Sequence, residues 1–213
     1  MKAMLTGYAG VLLRNDRITV LADPYIREGT PLLNQIEPDV LLITHSHGTH
    51  LDIPTLDMLL GGRRGVTVLA SEGAYDILKD RNDGHSYVLL APHSVWSERG
   101  VTFYSVKAEH NDRSAVGFIL DDGEKTYYIS GDTLYSFDVI DDVLDLVPDG
   151  VDCAFVPING KGCNMNAKDA ADFAYELGAK RAVPVHYSGT EISPEEFDFE
   201  DALILPPLVE VEL

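Results

Sequence analysis

Three histidines directly follow an apolar run early in the chain. Residues 40–44 are β-branched or leucine residues, as in a strand buried on both faces, and His45, His47 and His50 come immediately after them. Imidazole is a common ligand for zinc and iron, and a tight turn after a strand can direct several rings towards one point. Because the chain has only seven histidines, a solvent-facing polar loop is the less favoured interpretation. The cluster therefore predicts a metal site at the end of a strand.

The other candidate ligands also follow predicted strands. One histidine or aspartate comes soon after each of the segments 18–22, 101–106, 125–130 and 182–185, and these residues are Asp23, His110, Asp132 and His186. Residues just beyond strands meet at one edge of a sheet, where mixed α/β folds usually carry their sites. The spacing therefore predicts that these side chains converge on the histidine cluster.

Strand and helix patterns alternate along the rest of the chain, without repeats or an obvious linker. Further strands are predicted at residues 1–13, 66–70, 115–120, 151–156 and 208–213, with one hairpin joining 11–14 to 18–21 and another turning at Asp122-Gly123. Helices are predicted at 54–60 after Asp52 as N-cap, from 72 after Ser71, at 137–146, and from Asn166 to 177 before Gly178. The pattern predicts an α/β fold in one domain spanning residues 1–213.

Charge and composition exclude several classes of function. The net charge of −19 opposes binding to nucleic acid or to anionic membrane surfaces, so we predict neither partner. Residues 1–13 lack a small-residue cleavage site, and no window has the ~20 apolar residues that span a bilayer. Cys153 and Cys163 form no CxxC pair, which suits a reducing cytoplasm. Cys153 is predicted in the core, and a ligand role for Cys163 is the less favoured interpretation.

The order of these residues resembles the metallo-β-lactamase superfamily. The segment from His45 to His50 resembles the HxHxDH signature, and four single-residue motifs of the family are matched in order by Asp23, His110, Asp132 and His186. The stretches Ser130-Gly131-Asp132-Thr133 and Pro184-Val185-His186-Tyr187, with Asn164-Met165, are most similar to the branch that contains ascorbate-6-phosphate lactonases and related hydrolases.

The resemblance implies a four-layer αββα sandwich with a metal cleft at one edge of the sheets. It implies that His45, His47 and His110 bind a first metal ion, that His50 and His186 bind a second, and that Asp132 bridges them. The implied function is hydrolysis of a small ester, lactone or phosphoester by a metal-bound hydroxide, with Asp132 and His50 in the catalytic set. Zn²⁺ is the expected cofactor, and Mn²⁺ or Fe²⁺ are the alternatives.

Two positions depart from the family pattern. Thr49 replaces the aspartate of HxHxDH, and a neutral hydroxyl is a poor ligand that leaves the inner cluster one positive charge higher. Tyr8 stands where this branch often has a histidine, in Gly7-Tyr8-Ala9. We therefore expect one tightly bound ion and a weaker second site.

Some residues have two interpretations. Lys161, Tyr8 and Thr49 are candidate substrate-binding residues, although a lysine in a glycine-rich loop is more often only solvated. Tyr187 is a candidate catalytic hydrogen-bond donor or, equally, a packed aromatic.

The leading hypothesis is a hydrolase acting on a small molecule; the alternative is a non-catalytic metal-binding member with a structural or sensory role. Diiron redox chemistry ranks last because the chain carries no flavin-binding domain, and the sequence specifies no oligomeric state.

Overall fold

Thirteen strands form two mixed sheets in the computed structural model, which describes residues 1–25 and 36–213. In chain order the strands are β1 (Lys2–Gly7), β2 (Gly10–Arg14), β3 (Thr19–Ala22), β4 (Val40–Ile43), β5 (Thr67–Ala70), β6 (Ser86–Leu89), β7 (Val95–Glu98), β8 (Val101–Lys107), β9 (Val116–Asp121), β10 (Thr126–Ile129), β11 (Cys153–Pro157), β12 (Ala182–Val185) and β13 (Val211–Glu212). The first sheet has the order β13-β1-β2-β3-β4-β5-β6, and the second has the order β12-β11-β10-β9-β8-β7.

A hydrophobic core lies between the two sheets. Leu13 and Val20 from the first sheet belong to the same buried cluster as Phe103, Phe118 and Phe155 from the second. Apolar side chains of the first sheet alternate between this cluster and a second one on the sheet's outer face, so its inner strands are apolar throughout. Burial on both faces explains why residues 40–43 form an uninterrupted apolar run.

In the part of the chain that the structure describes, four α-helices cover the outer faces. They are α1 (Ile53–Leu60), α2 (Glu72–Leu78), α3 (Phe137–Leu146) and α4 (Ala167–Glu176). Leu56 and Ala74 pack with the outer face of the first sheet, and Val143 and Phe173 pack with that of the second. The layers run helix, sheet, sheet, helix, which confirms the predicted αββα sandwich.

The helix caps follow the sequence closely. Asp52 accepts a hydrogen bond from the Thr55 amide at the start of α1, and Asn166 does the same for the Asp169 amide at the start of α4. Ser71 occupies the N-cap position of α2 without making a side-chain capping bond. In the described ranges, no helix is long and apolar enough to cross a membrane.

Three strand predictions differ from the structure. Residues 1–13 form two antiparallel strands, β1 and β2, because the backbone reverses at Gly7 (φ +110°) and Tyr8 (φ +54°). The predicted last strand, 208–213, is shorter in the structure: β13 consists of Val211–Glu212, which pair with β1. The sequence patterns do not predict β6 and β7, since each is a four-residue, partly exposed edge strand without apolar-polar alternation.

Candidate metal centre

The strand ends bring the predicted ligands together. Each ligand lies one to three residues beyond the end of β4, β8, β10 or β12, or, for His47 and His50, farther along the turn after β4. Two groups of side chains present ligand atoms that all lie within 4.8 Å of one another, one being His45, His47 and His110, and the other His45, His50 and Asp132. This convergence is the arrangement that the strand-end spacing predicted.

The first group forms a three-imidazole face. The His110 Nε2 atom lies 3.3 Å from His47 Nδ1. The ring centroid of His45 lies 4.7 Å from that of His47 and 4.8 Å from that of His110. His45 is fully buried and the His110 side chain is only 1% exposed, whereas His47 is exposed. The face is therefore open to solvent only on the His47 side.

Asp132 lies between the two halves of the site. Its Oδ2 atom is 3.9 Å from His45 Nε2 and 4.0 Å from His110 Nε2. Its Oδ1 atom is 3.3 Å from His50 Nε2 and 3.4 Å from His186 Nε2. Each carboxylate oxygen thus faces a different pair of histidines, which is the geometry that a bridging carboxylate needs.

Asp23 and Thr44 fix the protonation pattern of two of these rings. His50 Nδ1 donates to Asp23 Oδ2 over 2.8 Å. The Thr44 hydroxyl donates to the same Oδ2 (2.6 Å) and lies 3.1 Å from His45 Nδ1, which can donate to it. A proton held on Nδ1 leaves the Nε2 lone pair free, and metal-binding histidines in proteins are usually oriented in this way.

The other two strand-end histidines have comparable outer partners. His110 Nδ1 lies 3.2 Å from the carbonyl oxygen of Cys163, which can only accept a hydrogen bond. His186 Nδ1 lies 2.9 Å from the side-chain amide of Asn159, whose oxygen otherwise has no partner. Rotating this amide by 180° lets its oxygen accept from Nδ1–H, which is the orientation that metal binding by His186 requires.

Three buried atoms at the centre have no hydrogen-bond partner among the described residues, namely His45 Nε2, His50 Nε2 and Asp132 Oδ1. The last two lie 3.3 Å apart without hydrogen-bonding geometry. Buried polar atoms are nearly always paired, so unpaired nitrogen lone pairs beside a carboxylate match the donor set of a divalent cation. The residues present therefore fit the metal ions that the fold family implies.

The site is electrostatically polarised. Burial lowers the pKa of His45 to about 2. Burial also acts against ionisation of His50, but the carboxylates of Asp23 and Asp132 outweigh it and raise the pKa of His50. The pKa of Asp132 lies below its usual range, since the neighbouring histidines outweigh the effect of its own burial. The carboxylates of Asp23 and Asp132 therefore favour positive charge at the centre, which a divalent cation would supply.

Tyr8 borders the site beside His186. The Tyr8 ring centroid lies 4.5 Å from that of His186, and the Tyr8 carbonyl accepts a hydrogen bond from the His186 amide. Both residues have a positive φ, as do Asp23 and Cys163. Positive φ in non-glycine residues is uncommon and concentrates at functional sites, where the surrounding contacts maintain it.

One glycine allows the Asp132 loop to approach the His45 loop. Gly131 has φ +60°, and a Cβ atom at this position would lie 2.8 Å from the Cβ of Thr44. A side chain here would therefore push Asp132 away from His45. This contact accounts for the glycine in the Ser130–Thr133 motif.

The remaining predicted residues differ in their exposure to solvent. Lys161 is exposed, in the same loop as Cys163, and Thr49 is partly buried in the histidine loop. Tyr187 packs against both hydrophobic clusters that flank the second sheet, and burial raises its pKa. Substrate contact by Lys161, Thr49 or Tyr8 and catalysis by Tyr187 stay predictions.

Sequence reasoning missed the orienting partners. The sequence pattern indicates Thr44 only as the end of a strand and assigns no role to Asn159 or to the Cys163 carbonyl. The position of Thr44 directly before His45 was a usable signal. The other two are 27 and 53 residues from their histidine partners, and no local pattern indicates them.

Comparisons with known proteins agree with this geometry. Residues 19–187 match the family described as the β-lactamase superfamily domain. A UPF0173 metal-dependent hydrolase from Exiguobacterium is 30% identical over 198 residues, covering 85% of this chain and 83% of the relative. Another UPF0173 metal-dependent hydrolase, from Thermococcus onnurineus, is 29% identical over 210 residues, covering 88% of this chain and 89% of the relative. The structure of the metallo hydrolase Igni18 from Ignicoccus hospitalis superposes with a TM-score of 0.81 at 20% identity. The superposition covers 99% of this chain and 97% of Igni18. The chain belongs to the metallo-β-lactamase superfamily, among relatives that are named metal-dependent hydrolases.

Proposed function

We propose that this protein is a metal-dependent hydrolase of a small ester, lactone or phosphoester. The observation that carries the proposal is the set of buried ligand atoms on His45, His50 and Asp132 that have no partner among the described residues. The outer Nδ1 atoms of both histidines are already held by neighbours. The names of the curated relatives support hydrolysis as the reaction class. Among these substrates we favour a lactone, because the motifs around Asp132 and His186 are most similar to those of the branch that contains ascorbate-6-phosphate lactonases.

The proposed first site consists of His45, His47, His110 and Asp132. Three imidazoles and one carboxylate match the four-coordinate arrangement that zinc prefers, with Mn²⁺ or Fe²⁺ as alternatives. A divalent ion bound here would lower the pKa of a coordinated water and polarise the scissile bond of the substrate. The Thr44 hydroxyl and the Cys163 carbonyl support this assignment because they keep protons off the inward Nε2 atoms.

The proposed second site is weaker. Its protein ligands are His50, His186 and the shared Asp132, because Thr49 supplies no charge where the family has an aspartate. Fewer anionic ligands leave more uncompensated positive charge in a partly buried site. We therefore expect about one tightly bound ion per chain when metal is limiting.

The chain's own groups would orient the reaction. Asp132 would be the anionic group shared by both halves of the site, and Asp23 would hold the His50 ring in place. Tyr8, Lys161 and Tyr187 would contact the substrate from the rim, with Lys161 favouring anionic substrates. The net charge of −19 supports a small molecule rather than nucleic acid as substrate.

A second candidate function is metal binding without turnover, in a structural or sensory role. Thr49 favours it, because the missing carboxylate would normally orient the nucleophile, and misorientation alone can cost on the order of 100-fold in rate. The nearly complete ligand set favours the hydrolase.

The two candidates are separated by restoring the missing carboxylate. Metal content is measured after purification without added metal, and Thr49→Asp and Thr49→Asn are titrated with Zn²⁺ and assayed on activated esters, lactones and phosphodiesters. We expect Thr49→Asp to tighten the second site and to raise turnover, while the neutral, similarly sized Thr49→Asn does neither. His47→Ala, which removes a first-site ligand, should abolish activity. If metal-loaded Thr49→Asp stays as inert as the wild type across the panel, the non-catalytic function is the better one.

A further inference from the structure

A half-buried carboxylate joins two of the metal-binding loops. Asp112 lies in the turn between β8 and β9, two residues after His110. Its Oδ2 atom accepts hydrogen bonds from the Ser46 amide (3.0 Å) and the Ser46 hydroxyl (2.7 Å). Its Oδ1 atom accepts from the Ser114 amide (2.9 Å) and the Ser114 hydroxyl (2.7 Å). Asp112 thus accepts four hydrogen bonds, although it is not one of the proposed metal ligands.

The position of Ser46 gives these bonds a consequence for the metal centre. Ser46 stands between His45 and His47, and 66 residues separate it from Asp112. The carboxylate therefore ties the loop that carries two first-site histidines to the loop that carries the third, His110. Charge-assisted hydrogen bonds to a carboxylate are short and roughly twice as strong as neutral ones.

Helix α2 supports the carboxylate from the other side. The Gly73 amide donates to the Ser114 hydroxyl over 3.0 Å, and that hydroxyl donates in turn to Asp112. A Cβ atom at Gly73 would lie 2.7 Å from the Ser114 Oγ atom, so the approach requires glycine. Burial of Asp112 acts against its ionisation, but the bonds from Ser114 and Ser46 outweigh it and hold its pKa below the usual range.

We propose that Asp112 is a positioning residue that sets the separation of the first-site histidines. It fixes the loop of His47 relative to that of His110, whose facing nitrogens lie 3.3 Å apart. The inference rests on the proposed function, because it presumes that these histidines bind a metal ion. The Val116 amide also donates to the Thr44 carbonyl (3.0 Å), but Thr44 precedes His45 and Val116 follows the His110 loop, so this bond joins the bases of the two loops and not the segments that carry His47 and His110.

The test compares cobalt binding by Asp112→Ala with that by a matched control. Like Asp112, Asp122 accepts a hydrogen bond from the backbone amide two residues later in the chain, that of Glu124. Asp122 lies in the β9–β10 turn, at the end of β9 away from the histidines, so Asp122→Ala is the control. Chelator competition gives the dissociation constant for Co²⁺, the visible absorption band reports its coordination, and thermal unfolding of the metal-free proteins reports stability. We expect Asp112→Ala to weaken Co²⁺ binding about 10-fold and to change the band, with both properties unchanged in Asp122→Ala.

A smaller change guards against misfolding of the first variant. Ser46→Ala removes only the hydroxyl bond to Asp112 and keeps the amide bond, so we expect a smaller rise in the Co²⁺ dissociation constant and a smaller change in the band. If Asp112→Ala or Ser46→Ala lowers the unfolding temperature while Co²⁺ affinity and the band match the wild type, Asp112 is only structural and the inference fails. If the wild type binds no Co²⁺, the proposed metal site itself fails.

Discussion

Substituting Asp23 by asparagine should invert the proton position on His50. The Asp23 carboxylate is buried and accepts three hydrogen bonds, from the Thr44 amide (2.8 Å), the Thr44 hydroxyl (2.6 Å) and His50 Nδ1 (2.8 Å). An amide offers one acceptor oxygen. If that oxygen stays on the Thr44 amide, the new N–H group faces His50 Nδ1 and donates to it. The ring proton then moves to Nε2, which lies 3.3 Å from Asp132, and the ligand lone pair is lost.

Two magnitudes follow from this geometry. Loss of a charge-assisted hydrogen bond should lower the free energy of unfolding of the metal-free protein by about 2 kcal/mol. The larger cost of a stranded buried charge, about 3–5 kcal/mol, does not apply because His50 can release its proton. Loss of the correct tautomer should weaken metal binding at His50 by about 10- to 100-fold.

The assay pairs urea unfolding of the metal-free protein with a Zn²⁺ titration. Asp152→Asn is the control, because the Asp152 carboxylate also accepts hydrogen bonds from the amide (2.8 Å) and the hydroxyl (3.3 Å) of one threonine, Thr126. Asp152 directly precedes β11 and therefore lies at the end of the sheet away from the metal site. We expect both variants to lose stability and only Asp23→Asn to lose metal affinity. Equal metal affinity in the two variants would refute the tautomer argument.

Two further predictions concern residues outside the ligand set. Cys163 is exposed, whereas Cys153 is buried and its burial raises the pKa of its thiol to about 12. A thiol reagent at pH 8 should therefore modify one cysteine in the folded protein and both cysteines in denaturant. Rapid labelling of both cysteines in the folded protein would contradict the burial of Cys153. Asp52→Ala should lower the free energy of unfolding by about 1 kcal/mol through loss of the α1 cap on Thr55, and a change in Zn²⁺ affinity measured alongside would show that Asp52 acts at the metal site.

The fold was predictable because its inner strands are buried on both faces. Runs such as residues 40–43 and Cys153–Pro157 are short and apolar throughout, which favours strands of a covered sheet. The edge strands β6 and β7 escaped prediction because edge positions impose little hydrophobic pattern. The division of residues 1–13 into two strands depends on a tight reversal at Tyr8, whose positive φ has no signature in a tyrosine side chain.

The positions of His45, His110, Asp132 and His186 directly after strands predict their convergence, because the ends of these strands meet at one edge of the sheets. The contacts that hold these side chains in place depend on the packing of loops that are distant in the chain. The contacts of His110 with the Cys163 carbonyl and of Ser46 with Asp112 join residues that are 53 and 66 positions apart. Strand patterns are local and periodic, so they can be inferred from the sequence. A hydrogen bond between two loops depends on the packing of the sheets that carry them, and it exists only once the chain has folded.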